Sequence, residues 1–192
     1  MALQPLAELH DINAAIWQEL TRAPRDKHHD WRTPVLATVH ADSADARTVV
    51  LREVDAAAQT LLFFSDARAG KVAQLRLRPH GTLVMWSARL SWQLRLRVNL
   101  TAQTEGLAVA SRWARLSLSP AAQDYLAPRA PGSVLGQVDQ PEPGAGPPSS
   151  QPARGHFAVL TAKVLTIDWL ELRASGHRRA QFDGQGARWL QP

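Results

Sequence analysis

Apolar positions along this chain follow two rhythms. Near the start, Leu9, Ile12, Ile16 and Leu20 recur at helical spacing, which predicts an amphipathic helix over about residues 6–21, ended by Pro24. Later the period drops to two. Ser91, Gln93, Arg95, Arg97 and Asn99 alternate with Trp92, Leu94, Leu96, Val98 and Leu100, the pattern of a half-buried strand. Residues 33–40 and 47–54 predict two more strands, joined by the turn-rich ADSADA. The run 60–65 is apolar, aromatic and too short for a helix, so it predicts a buried strand. Residues 81–87 and 156–172 add strands, SGHRRAQF supplies a turn and a last one, and ARWLQP closes the chain.

The helices between these strands are short. DARAG predicts a turn and GKVAQLRLR a helix, with Val72 and Leu75 facing the core, Lys71, Gln74 and Arg78 opposite, and Pro79 and Gly81 as the stop. Residues 107–117 predict another helix. Ser119 as N-cap and Pro120 at the first position predict one more, carrying Asp124 and Tyr125. Residues 127–155 hold seven of the 13 prolines and predict a long loop. Six or seven strands without a β-α-β alternation make a mainly β fold, an antiparallel barrel with peripheral helices, in a single domain over 1–192.

Composition narrows the class. At 45% hydrophobic, 192 residues bury a proper core. No apolar run approaches a membrane span, the N-terminus lacks a signal-peptide pattern, and there is no cysteine, so a soluble cytoplasmic protein is expected. Of 22 basic residues only Lys27, Lys71 and Lys163 are lysine, and the other 19 are arginine. These charges are scattered, with no run of four, so the net +5 does not predict nucleic-acid binding. Adjacent His28 and His29 point in different directions and have no partner at metal-ligand spacing, which predicts a solvated loop and no metal.

Four constellations carry candidate chemistry. Arg47, Ser65, Arg68 and Lys71 stand where strands end and a helix begins, where backbone N–H groups and the helix dipole favour an anion. Together they offer the charges and hydroxyl that a phosphate monoester wants, although Arg68 and Lys71, each taken alone, read as solvated loop charges. Gln93 and Arg95 share a strand face that either meets a heteroaromatic edge or is plain surface. Trp169, His177 and Arg179 either line a ring or form a core Trp and a basic turn. Tyr125, Arg129 and Ser133 recur every four residues, with Pro128 and Pro131 between them, and offer a second phosphate site. No Ser-His-Asp arrangement and no metal cluster is present, which points to a cofactor as carrier of the chemistry.

R-T-V-V-L-R at 47–52, F-F-S-D at 63–66, K-V-A-Q-L from Lys71, Q-L-R from Gln93, Y-x-x-x-R-x-x-x-S at 125–133 and I-D-W at 167–169 occur in one order. In this the chain resembles the pyridoxamine 5′-phosphate oxidase family of FMN-binding split barrels, and more closely its short, FMN-binding branch. The resemblance runs from about Trp31 to the end of the chain. It implies a six-stranded antiparallel Greek-key split barrel that forms a homodimer, with FMN in clefts between subunits. Arg47 and Lys71 would bind the FMN phosphate, with Phe64 and Ser65 beside them and Arg68 as helper. Val49, Val50 and Leu51 would offer backbone to the ring, Gln93 would meet its polar edge, and Trp169 and Arg179 would come from the partner subunit. Arg52, where the oxidases usually have lysine, would join Tyr125, Arg129, Ser133 and His177 around a small phosphorylated substrate.

His177 is the one candidate for a catalytic role. Ser175 stands where the oxidases carry an arginine two residues before that histidine. The resemblance thus implies an FMN-binding oxidoreductase, with hydride passing from substrate to flavin N5. The alternatives are an FMN-dependent reductase of unknown donor and a non-catalytic flavin- or haem-binding barrel.

Overall fold

In the computed structural model, which describes residues 8–134 and 155–192, the first helix, α1 (Leu9–Arg22), buries Ile12, Ile16 and Leu20 completely against the sheet. The strands are β1 (Val35–His40), β2 (Ser43–Thr48), β3 (Leu51–Asp55), β4 (Thr60–Asp66), β5 (His80–Ser87), β6 (Trp92–Gln103), β7 (Phe157–Glu171), β8 (Arg178–Asp183) and β9 (Gly186–Leu190). Two further helices are α2 (Gly70–Leu77) and α3 (Leu107–Leu116), and short 3₁₀ turns lie at Asp30–Arg32 and Pro120–Tyr125.

All nine strands join one antiparallel sheet, in the order β2-β1-β5-β6-β7-β4-β3 with β8 and β9 branching from β7. The branch lies in β7. One edge pairs with β6 along its length, while the other pairs first with β4 and then with β8. The sheet therefore divides and curls around one core. Trp92, Trp169 and Trp31 fill it, with Trp92 edge-on to Trp169 at 5.4 Å between ring centroids and stacked on Trp31 at 6.5 Å. A second cluster, containing Val109, Trp113, Tyr125 and Phe157, packs α3 and its following turn on β4 and β7.

The β6 alternation is as expected: Trp92, Leu94, Leu96, Val98 and Leu100 are buried. Elsewhere the structure corrects the reading. Residues 47–54 are not one strand. β2 closes a hairpin on β1 through Ala41–Asp42, with Ala41 left-handed at φ 54°, and residues 49–50 leave the ladder before β3. β2 is an edge strand with exposed Ser43 and Ala44, so it lacks the apolar alternation that would have revealed it. This split and the separate β9 raise the count to nine among the described residues.

His29 is not solvated. Its Nδ1 accepts from the backbone N–H of Trp31 at 3.1 Å, and its Nε2 lies 2.9 Å from Glu19. Ser119 makes no side-chain cap, and its hydroxyl donates to the Leu116 carbonyl at 2.8 Å. The expected loop 127–155 falls largely outside the described residues. Among the described residues, no helix is long and apolar enough to cross a membrane.

Candidate phosphate and ring site

Where β4 ends, Ser65 points its hydroxyl toward α2, and the Lys71 ammonium donates to it at 3.3 Å. Arg47 reaches the same place from β2. Its Nη1 donates to Thr38 Oγ1 at 2.5 Å and to the Leu36 carbonyl at 3.3 Å. Its Nη2 donates to Gln74 Oε1 at 3.2 Å and forms an ion pair with Asp45. Gln74 is the hub. Its Oε1 also accepts from Thr38 at 2.6 Å, while its Nε2 donates to Asp45 at 2.8 Å. Burial, and then the charge of Arg47, depress the pKa of Lys71 below the ordinary lysine value. Gln74 and Arg47 hold Asp45 below the ordinary carboxylate value.

The structure thus brings Ser65 and Lys71 together at the first turn of α2, with Arg47 on Gln74 one turn further along and near enough for its charge to act on Lys71. Gln74 and Thr38, which the sequence reading left out, complete the group. Gln74 was expected on the solvent side of α2 but is buried. Its spacing of three from Lys71 puts both on one helix face, the one signal that links them.

Arg68 faces another way. It forks onto Asp66, Nε to Oδ1 at 3.1 Å and Nη2 to Oδ2 at 2.7 Å, and it donates to the carbonyls of Ala127, Pro128 and Arg129 at 2.9, 3.0 and 3.2 Å. Burial pushes the Asp66 carboxyl up, but the hydrogen bonds and charge of Arg68 outweigh it and hold it low. The expected phosphate helper is committed elsewhere because a buried carboxylate claims it.

A third group forms around β3, which bulges between Leu51 and Glu53. Arg52 lies 5.6 Å over the Phe64 ring centroid and beside the Tyr125 hydroxyl, and its Nε is buried without a partner. Burial raises the Tyr125 pKa, with Arg52 opposing. A cavity of about 250 Å³ opens there, lined by Arg52, Glu53, Phe64, Arg112, Arg115, Leu116 and Ser119. Glu53 takes a fork from Arg112 at 2.6–3.1 Å, and neither residue was singled out from sequence. Arg129 and Ser133 are exposed, and the Ser133 hydroxyl donates to the Ala130 carbonyl at 2.8 Å. Val49 and Leu51 are buried, and Val50 between them is partly exposed.

Gln93 and Arg179 occupy one row of the outward sheet face, with Leu170 between them, whereas Arg47 lies on the face turned to α2. In the next row Asp168 binds both Arg95 and Arg179, the latter at 2.7 and 3.0 Å. Burial raises the Asp168 pKa, but these two arginines outweigh it and keep the carboxylate ionised. Trp169 does not present a face to a ring: it is wholly buried between Trp92 and Trp189, because the alternation that turns Asp168 outward turns it inward. His177 Nδ1 accepts from the Arg173 backbone at 3.1 Å, inside its own turn. No group of three metal-ligating side chains occurs among the described residues.

Comparison with known proteins agrees with this architecture. Residues 14–104 match the model of the family described as pyridoxamine 5′-phosphate oxidase, FMN-binding domain. A pyridoxamine 5′-phosphate oxidase-related, FMN-binding protein from Nostoc punctiforme is similar over 100% of both chains, with 23% identity and a TM-score of 0.71. PhzG from Burkholderia lata, solved with tetrahydrophenazine-1-carboxylic acid, is 14% identical over 100% of this chain and 98% of its own, with a TM-score of 0.69. A heme binding protein from Mycobacterium smegmatis is 16% identical over 96% of this chain and 60% of its own, with a TM-score of 0.52. At these identities the structures show a shared fold. No curated protein matches the chain in sequence. Residues 14–104, the stretch from α1 through β6, resemble the pyridoxamine 5′-phosphate oxidase FMN-binding family in sequence, and the solved structures share the fold.

Proposed function

We propose that this protein, a barrel resembling that family, binds FMN as a homodimer and is an oxidoreductase acting on a small anionic amine. One observation carries the reading: Lys71 donates to Ser65 at the N-terminal turn of α2, and the charge of Arg47, held on Gln74 of the same helix, is near enough to depress the Lys71 pKa. The donor set suits a phosphate monoester. It offers a guanidinium pinned by Gln74 and Thr38, a half-buried ammonium, a hydroxyl and a helix N-terminus.

FMN, when bound, supplies two-electron redox chemistry at its ring. The chain's own residues hold and orient. Lys71 and Arg47 fix the phosphate, and Gln74 holds both Arg47 and its ion-pair partner Asp45 in place. The backbone at 49–50, outside the ladder, is the place for the ring. Arg52, with its unpartnered Nε beside Tyr125, anchors the anionic end of a substrate, with Arg129 and Ser133 on the adjoining segment. Gln93 and Arg179 lie on the outward sheet face, so they reach a ring held by the other subunit. That face also exposes Val35 and Trp86, at 40% and 45%, a surface that suits burial in a dimer.

The test is the visible spectrum of the purified protein, followed by a hydrogen-peroxide assay with pyridoxamine 5′-phosphate. Flavin bands and peroxide release support the proposal. A colourless protein that takes up no added FMN overturns it.

A further inference from the structure

Ser65 and Asp66 are consecutive strand residues, so their side chains leave opposite sides of β4. Ser65 serves Lys71. Asp66, only 6% exposed, serves Arg68 through the fork described above and accepts its backbone N–H at 2.7 Å. The remaining donors of that guanidinium cross to a segment 59 to 61 positions away, where three successive carbonyls accept them. Those carbonyls follow the 3₁₀ turn Pro120–Tyr125, in a stretch with no regular ladder to pair them.

Two backbone bonds tie the preceding 3₁₀ turn to the residues before β7 and after β4: His156 N–H donates to the Tyr125 carbonyl at 2.9 Å and Ala67 N–H to the His156 carbonyl at 2.7 Å. Gly155, left-handed at φ 55°, permits that approach, since a Cβ there would stand 2.4 Å from the Tyr125 carbonyl.

We propose that Arg68 is a positioning residue: it pins the backbone of 127–129, and so sets the posture of the segment bearing Tyr125, Arg129 and Ser133 against the strand end that carries Ser65. Its Nε and both Nη atoms are committed to this. Cofactor cradle and substrate anchor then share one strand end, two side chains apart. The substrate half of this inference rests on the function proposed above.

The clamp can be read directly, because the Arg129 carbonyl that Arg68 holds at 3.2 Å belongs to the bond trypsin cuts after Arg129. Arg68→Gln alone strands the buried Asp66 charge. The paired variant Asp66→Asn/Arg68→Gln removes both charges and isolates the lost carbonyl contacts. Native-state trypsinolysis with mass analysis is expected to cut after Arg129 about tenfold or more faster in the paired variant, with Arg68→Lys intermediate. FMN affinity should stay within about threefold of wild type, while anaerobic binding of pyridoxine 5′-phosphate weakens by about tenfold. Unchanged cleavage after Arg129 overturns the clamp. Equally, a large loss of FMN affinity with unchanged cleavage makes Arg68 a cofactor ligand. If the wild-type protein takes up no FMN, the proposed function fails, and the cleavage rates still decide the role of Arg68.

Discussion

The Arg47 guanidinium stands close enough to the Lys71 ammonium to lower its proton affinity, in addition to the effect of burial, although 24 positions of chain separate them. Like charges held in a half-dry site destabilise the protein that carries them and favour an anion between them. Lys71→Met should therefore leave apo stability equal or higher in urea denaturation. The same variant should weaken FMN binding by ~1.5–3 kcal/mol, the worth of one charge-assisted contact. Stability and affinity falling together would mark Lys71 as structural.

The depressed Lys71 also sets a pH dependence. Phosphate binding favours the charged ammonium. Below the lowered pKa of the apo protein that charge is already present. Above it, binding must take up a proton, so FMN affinity should fall as pH rises through that value, at up to about tenfold per pH unit. The decline should begin below the ordinary lysine range and be absent in Lys71→Met. A flat alkaline profile in the wild type would contradict the assignment.

Gln74 gives a different signature. Its amide joins Thr38, Arg47 and Asp45, and Thr38 is 2% exposed. Gln74→Leu leaves a buried hydroxyl and a guanidinium short of partners, at a cost of about 1–3 kcal/mol in stability. It also removes the amide that fixes the Arg47 guanidinium beside Asp45, so FMN affinity should fall by about tenfold. Titration of the folded variant checks this, and wild-type affinity would show that Gln74 does not orient Arg47.

Trp169 separates core from site. Trp169→Phe should destabilise by roughly 1–3 kcal/mol, because its cavity is closed by Trp92 and Trp189. FMN affinity under folding conditions should not change. A stable variant with weakened FMN binding would return Trp169 to the ring.

What the sequence disclosed follows from how each signal is written. β6 was legible because one face of a 12-residue strand is buried and the other is not, so alternation is forced. β2 was hidden because an exposed edge strand needs no apolar residues. The phosphate candidates were legible as residue types at strand and helix ends. The partner that organises them was not: helical period set Gln74 apart from Val72 and Leu75, and a buried polar hub looks like a solvent face in that pattern. The surroundings of Arg68 and Trp169 were hidden for another reason. A guanidinium between phosphate and carbonyls, or an indole between ligand and core, is decided by tertiary contacts, and Arg68 finds its carbonyls some 60 residues away.

The most direct measurement compares FMN with riboflavin, which lacks only the phosphate, in calorimetric titrations of the apo protein. Two charge-assisted contacts predict FMN to bind at least about a hundredfold more tightly. That preference should shrink stepwise in Arg47→Met and Lys71→Met and nearly vanish in the double variant. Equal affinity for the two flavins in the wild type, or an undiminished preference in the double variant, would place the phosphate elsewhere.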